Sequence, residues 1–189
     1  MKIPVEIYRP GDRFIVGPFD IETIAVTHSI PEPVSLAIRT PLGMVVHTGD
    51  WKIDTAPAVG PLTDEAKFRA LGDEGVLALV CDSTNALREG ESPSEKDVAA
   101  GLRAVIEEAH GRVAVTTFSS NVGRIRSIAE AARDAGRQVL VLGSSLKRVI
   151  DVAGELGYLD GLPDFVSEDD YGFIPRENLL ILCTGSRGE

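Results

Sequence analysis

Two short segments of this chain place groups able to bind a divalent cation where apolar strands end. They are Val26-Thr27-His28-Ser29-Ile30-Pro31-Glu32 and His47-Thr48-Gly49-Asp50-Trp51-Lys52. A neutral imidazole suits Zn²⁺, and a carboxylate can bridge two cations. His28 and Asp50 are therefore the candidate metal ligands. Each has a plainer reading beside that one. A lone His at a strand end also serves as a hydrogen-bonded structural residue, and Asp in Thr-Gly-Asp also forms turns.

A second set of residues has the chemistry to hold phosphate. Ser119, Ser120 and Asn121 lie between a strand ending at Phe118 and a helix starting near Val122. Their polar groups and the free N–H groups of the helix start face the carboxyl end of a parallel sheet, where phosphate is attracted. Arg124 and Arg126 follow. The plainer reading is that Ser and Asn are ordinary caps and the Arg pair a solvated face. Thr184, Gly185 and Ser186 follow the last strand, small enough for a backbone to approach closely, with Arg187 beside them. No GxGxxG, no GxxxxGK[ST] and no Gly-x-Ser-x-Gly occurs, which removes the usual dinucleotide, P-loop and nucleophile-elbow readings.

The elements that must position these residues change character near residue 85. Before it, strands dominate: Glu22–His28, Val34–Thr40, Met44–Thr48 and Val76–Cys81, with one short helix over Asp64–Leu71, capped by Thr63 and ended by Gly72. After it, helices alternate with strands. Ser92 and Glu95 have capping-box spacing, and Val98, Leu102, Val105, Ile106 and Ala109 form one apolar helical face. Val113–Phe118, Val139–Leu142 and Leu179–Cys183 read as strands. Val122–Ala132 and Leu146–Leu156 read as helices, and Asp160–Asn178 as a connecting loop. That alternation predicts βαβ units and a parallel sheet, an α/β class.

Composition narrows the class further. The net charge of −10 argues against broad non-specific binding to nucleic acid, without excluding an enzyme that gathers metal ions and a few Arg in one cleft. The longest apolar run, Val76–Cys81, is far short of the roughly 20 residues of a membrane span. No secretory signal opens the sequence, so a cytoplasmic protein without membrane contact is expected. Cys81 and Cys183 each close an apolar run and are expected in the core.

The run THSIPEP, RTPLG, HTGDWKID and CDSTN, followed by TTFSSNVGRI and CTGSRGE, resembles ribonuclease J, a family in the β-CASP branch of the metallo-β-lactamase fold. The resemblance covers essentially the whole chain in order and spacing. It implies part of a metallo-β-lactamase sandwich over residues 1–84, then most of a parallel α/β β-CASP domain over 85–189. It implies a zinc-dependent ribonuclease, with 5′-to-3′ exonuclease and endonuclease activity, acting on RNA in its processing and decay. His28 matches a zinc ligand and Asp50 the carboxylate that bridges two zinc ions. Asp82 matches an acidic residue that supports the catalytic site. Ser119, Ser120, Asn121, Thr184, Gly185 and Ser186 match loops near the RNA cleft. A homo-oligomeric parent protein is expected. His47 is not a metal position of the family and is read as structural.

The departures shape the expectation. The family's His-x-His-x-Asp-His cluster and its later β-CASP histidines are not in this sequence, so it reads as an inactive fragment that keeps zinc weakly. Gly123 stands where many relatives have His. A metal-free RNA- or partner-binding module on the same fold is the alternative from another class, and another β-CASP nuclease the alternative among enzymes.

Overall fold

The computed structural model describes residues 3–185. The chain divides into two compact units. The first takes residues 1–28, 32–55 and 60–92, and the second takes 29–31, 56–59 and 93–189.

The first unit is a five-stranded sheet, β1 (Arg13–Val16), β2 (Phe19–Ala25), β3 (Val34–Thr40), β4 (Gly43–His47) and β5 (Val76–Val80), in that order. The first four pair antiparallel, and β4 pairs with β5 in parallel. The parallel pair needs a crossover, which α1 (Glu65–Glu74) supplies. Strict alternation gives the sheet two faces. Ile24, Ala37, Met44 and Val46 are buried beneath Leu71 and Phe68 of α1. Ile21, Ile38 and Val45 form a cross-strand row on the other face and are half-buried.

Local chemistry moved several boundaries. Asp64, not Thr63, caps α1, its carboxylate accepting from the Lys67 N–H. Thr63 is drawn instead to the hydroxyl of Thr27. The helix runs through Gly72 and ends at Gly75, whose φ of 103° the other residues adopt only under strain. β1 was not foreseen. It pairs only with β2 and is too short and exposed to carry a periodic signal. The core placement of Cys81 is corrected: it is exposed, because β5 is an edge strand whose residues all face solvent. Cys183 is only half-buried.

The second unit is a parallel three-stranded sheet ordered β6 (Val113–Thr116), β8 (Leu179–Cys183), β7 (Gln138–Leu142). The last strand in sequence enters between the other two, which is why Leu179, Leu180 and Leu182 have no accessible surface. Three helices pack on this sheet or on one another: α2 (Glu95–Glu108), α3 (Val122–Asp134) and α4 (Ser144–Glu155). Ile125, Ile128, Leu146 and Leu182 sit in its core. The cap of α2 is Ser94, not Ser92: its hydroxyl accepts from the Asp97 N–H at 3.1 Å and bonds the Asp97 carboxylate at 2.7 Å. Glu95 turns inward instead of closing a capping box, and Val105 faces solvent instead of the core. The 160–178 stretch is a connection with two short 3₁₀ turns, and its Val166 bridges to Leu140 of β7.

Candidate functional site

In the first unit, three loops leave the same end of the sheet. One follows β2 and carries His28, the next follows β4 and carries Asp50, and the third follows β5 and carries Asp82. β2, β3, β4 and β5 lie side by side, so the three turns gather at one edge. The Asp82 carboxylate accepts from the Thr84 hydroxyl at 2.7 Å and the Thr84 N–H at 2.9 Å. These bonds hold it below the ordinary carboxylate range, against a small opposing effect of burial. Smaller electrostatic contributions from His28 and from the main-chain N–H of Trp51 act in the same direction. His28 is half-buried and Asp50 is exposed beside Gly49. Gly49 has φ of 61°, and a Cβ there would lie 3.2 Å from the Val34 carbonyl oxygen, so the turn that presents Asp50 requires glycine. The Gly49 N–H donates to Nδ1 of His47 at 3.1 Å, a bond that stabilises this turn.

An imidazole and carboxylates are the right donor types for zinc. Among the described residues, however, no group of three His, Cys, Asp or Glu is close enough to enclose a cation. His28 and Asp50 therefore fit as contributors to a metal site and not as a complete cage.

In the second unit, β6, β8 and β7 run parallel, so the loops at their carboxyl ends are neighbours. The Thr117 N–H donates to the Cys183 carbonyl at 3.1 Å, which sets the Phe118–Asn121 loop beside Thr184 and Gly185. Ser120 is exposed and Ser119 half-buried, whereas Asn121 is buried. The Asn121 Oδ1 accepts from the Arg124 N–H at 2.9 Å and caps α3. Ser186 and Arg187 lie outside the described residues.

The two arginines are committed elsewhere. Arg124 meets the Glu95 carboxylate through Nε at 3.1 Å and Nη2 at 3.2 Å. Arg126 donates to the carbonyls of Tyr158 and Asp160 and pairs with Glu130. The phosphate role is withdrawn for this pair, since each guanidinium already meets a carboxylate of its own. At Gly123 a Cβ would lie 3.1 Å from the Cβ of Ala58, so any larger residue there would need Ala58 to give by a few tenths of an ångström.

Sequence reasoning missed a third loop at this end. Gly143, Ser144 and Ser145 follow β7 and open α4, and both serines are exposed. Gly143 has φ of 113°, and a Cβ there would meet Thr184 Oγ1 at 3.2 Å. The signal that singled out Ser119 and Ser120, small polar residues between a strand and a helix, was present here too.

Residues 110–189 match the family model described as the ribonuclease J β-CASP domain. A Ribonuclease J of Sinorhizobium meliloti is 62% identical over 188 residues, which is 100% of this chain and 33% of that protein. One from Thermus thermophilus is 44% identical over 95% of this chain and 32% of its own length. The chain thus spans about a third of the length of these relatives. A crystal structure of a protein of unknown function from Enterococcus faecalis V583 superposes with a TM-score of 0.63 at 16% identity, over 96% of this chain and 45% of that one. That likeness concerns the fold alone. Among the described residues no helix is long and apolar enough to cross a membrane. The α/β architecture and the sequence identity together place this chain in the ribonuclease J family, with residues 110–189 falling in that family's β-CASP domain.

Proposed function

We propose that this chain forms part of a zinc-dependent ribonuclease that removes nucleotides from the 5′ end of RNA and also cuts internally, in the cytoplasm. On this reading the first unit belongs to a metallo-β-lactamase domain and the second to a β-CASP domain. The observation that carries it is the gathering of the His28, Asp50 and Asp82 loops at one end of a sheet, in a chain 62% identical to a Ribonuclease J. His28 and Asp50 would hold metal, together with ligands from other parts of the protein. Zinc bound there supplies an activated water and offsets charge on the phosphate. Asp82, kept ionised by Thr84, would orient the surrounding loop. Ser119, Ser120, Thr184, Gly185 and Ser186 would take the RNA backbone. Asn121 would contribute through its amide nitrogen, its oxygen being used by the helix.

A chimera tests this. The matching third of the S. meliloti Ribonuclease J is replaced by this chain, and hydrolysis of a 5′-monophosphorylated RNA oligonucleotide is followed beside zinc content. The chimera should cut RNA, and Asp50→Asn should lose both activity and zinc. Undiminished hydrolysis by Asp50→Asn would overturn the assignment.

A further inference from the structure

We propose that Thr27 and Thr48 are positioning residues, two buried hydroxyls that lash the His28, Asp50 and Asp82 loops into one rigid unit. The proposal rests on the reading of those loops as a metal site and deepens it. Loops need outside support if they are to hold ligands within about half an ångström of a working geometry. Here that support is polar.

Thr27 is 3% exposed and adjoins His28. Its carbonyl accepts from the Lys52 N–H at 2.8 Å, and its own N–H donates to Thr63 Oγ1 at 3.0 Å. Its hydroxyl donates to the Lys52 carbonyl, accepts from the Asp54 N–H at 3.1 Å and lies 3.0 Å from the Thr63 hydroxyl. A hydroxyl has one proton and two acceptor sites, so with Thr63 as donor the Thr27 side chain is saturated. Every one of these bonds joins the His28 segment to the stretch after Asp50 or to the start of α1.

Thr48 is 7% exposed and stands two residues before Asp50. Its N–H donates to the Val80 carbonyl at 2.9 Å, and its carbonyl accepts from the fully buried Ser35 hydroxyl at 2.7 Å. Its own hydroxyl donates to the Gly49 carbonyl at 2.8 Å and accepts from the Asp82 N–H at 3.0 Å. One oxygen therefore bonds both the turn that presents Asp50 and the residue Asp82 itself. Thr27 ties the first loop to the second, and Thr48 ties the second to the third. Valine has the shape of threonine without the hydroxyl, and would remove the oxygen that accepts from the Asp54 N–H in one case and from the Asp82 N–H in the other.

The test uses the 189-residue chain with Thr27→Val, Thr48→Val and the matching serine variants. Amide hydrogen exchange is read by NMR, and Mn²⁺ uptake by electron paramagnetic resonance at millimolar metal. In Thr48→Val the Asp82 amide should exchange about tenfold faster, the loss expected when a buried donor loses its acceptor. Thr27→Val should do the same at Asp54. Amides of β3 should keep wild-type rates. Mn²⁺ binding should weaken about tenfold in each valine variant, and serine should restore both readouts. If a valine variant does not fold, alanine, which removes the same hydroxyl with less bulk, replaces it. Wild-type exchange at Asp82 and Asp54 in the hydroxyl-less variants would overturn the lashing. Fast exchange with unchanged Mn²⁺ affinity would overturn the positioning role. A wild-type chain that takes up no cation would overturn the positioning role, whereas the metal reading itself falls only if the chimera with the S. meliloti protein also takes up no cation.

Discussion

Glu95 and Arg124, one on α2 and the other in the first turn of α3, form a two-pronged ion pair at 3.1 and 3.2 Å. The Glu95 side chain is 9% exposed and that of Arg124 27%. Truncating one member strands the other in a poorly hydrated place. Glu95→Ala should therefore cost about 1–3 kcal/mol in urea unfolding, softened by the partial exposure of Arg124. Arg124→Lys should not preserve the pair, since an ammonium cannot make two parallel bonds. A double-mutant cycle with no coupling between the two positions would show that the pair contributes little.

Ser120 and Asn121 should separate under mutation. Asn121 caps α3, so Asn121→Ala should lower stability by about 0.5–2 kcal/mol before RNA is considered. Ser120 is exposed, and Ser120→Ala should leave the unfolding midpoint unchanged. If Ser120 bonds a phosphate, its loss should weaken oligonucleotide binding by about 1.5–3 kcal/mol. Titration of the single variants, with thermal melts alongside, checks both statements. Equal RNA affinity in Ser120→Ala and wild type would remove Ser120 from the RNA surface.

Acid should loosen the first unit through Glu22. Burial alone would raise its pKa, but hydrogen bonds from Lys67 and Arg39 outweigh burial and hold it below its ordinary value of 4.5. Arg39 also grips Glu74 and lies 3.0 Å from Glu22. A depressed folded pKa gives stability that is fully present above the unfolded value and lost as pH falls through the folded one. Stability should therefore drop below about pH 4.5. Glu22→Gln should be about 1–2 kcal/mol less stable than wild type at pH 7, with the gap narrowing as pH falls below 4.5 through the folded-state pKa. Denaturant midpoints across that range give the answer, and a gap that does not change with pH would contradict it.

β5 should make the isolated chain sticky. It is the last strand of its sheet, and Leu77 and Leu79 are 65% and 62% exposed. An edge strand of this composition offers unpaired backbone groups beside apolar side chains. The chain should self-associate in sedimentation, and Leu77→Lys with Leu79→Lys should shift it toward monomer. A wild-type chain that sediments as a clean monomer would refute this.

What the amino-acid order determined by itself was local. A period-two run marked β3, a short unbroken apolar run marked β8, and period-3.6 runs marked α3 and α4, because those patterns arise from neighbours within a few residues of one another. The residue types at His28, Asp50 and Asp82, and the motifs around them, pointed to a family before any fold was known. The tertiary structure decided the partners. Arg124 turned from a phosphate candidate into a partner of Glu95, 29 residues away. Thr48 reached Asp82 across 34 residues, and Gly143 came to face Thr184 because β8 inserts next to β7. Such pairings depend on strand order and register. Those are settled by which apolar faces the whole sheet can bury at once, a property no short window of sequence contains.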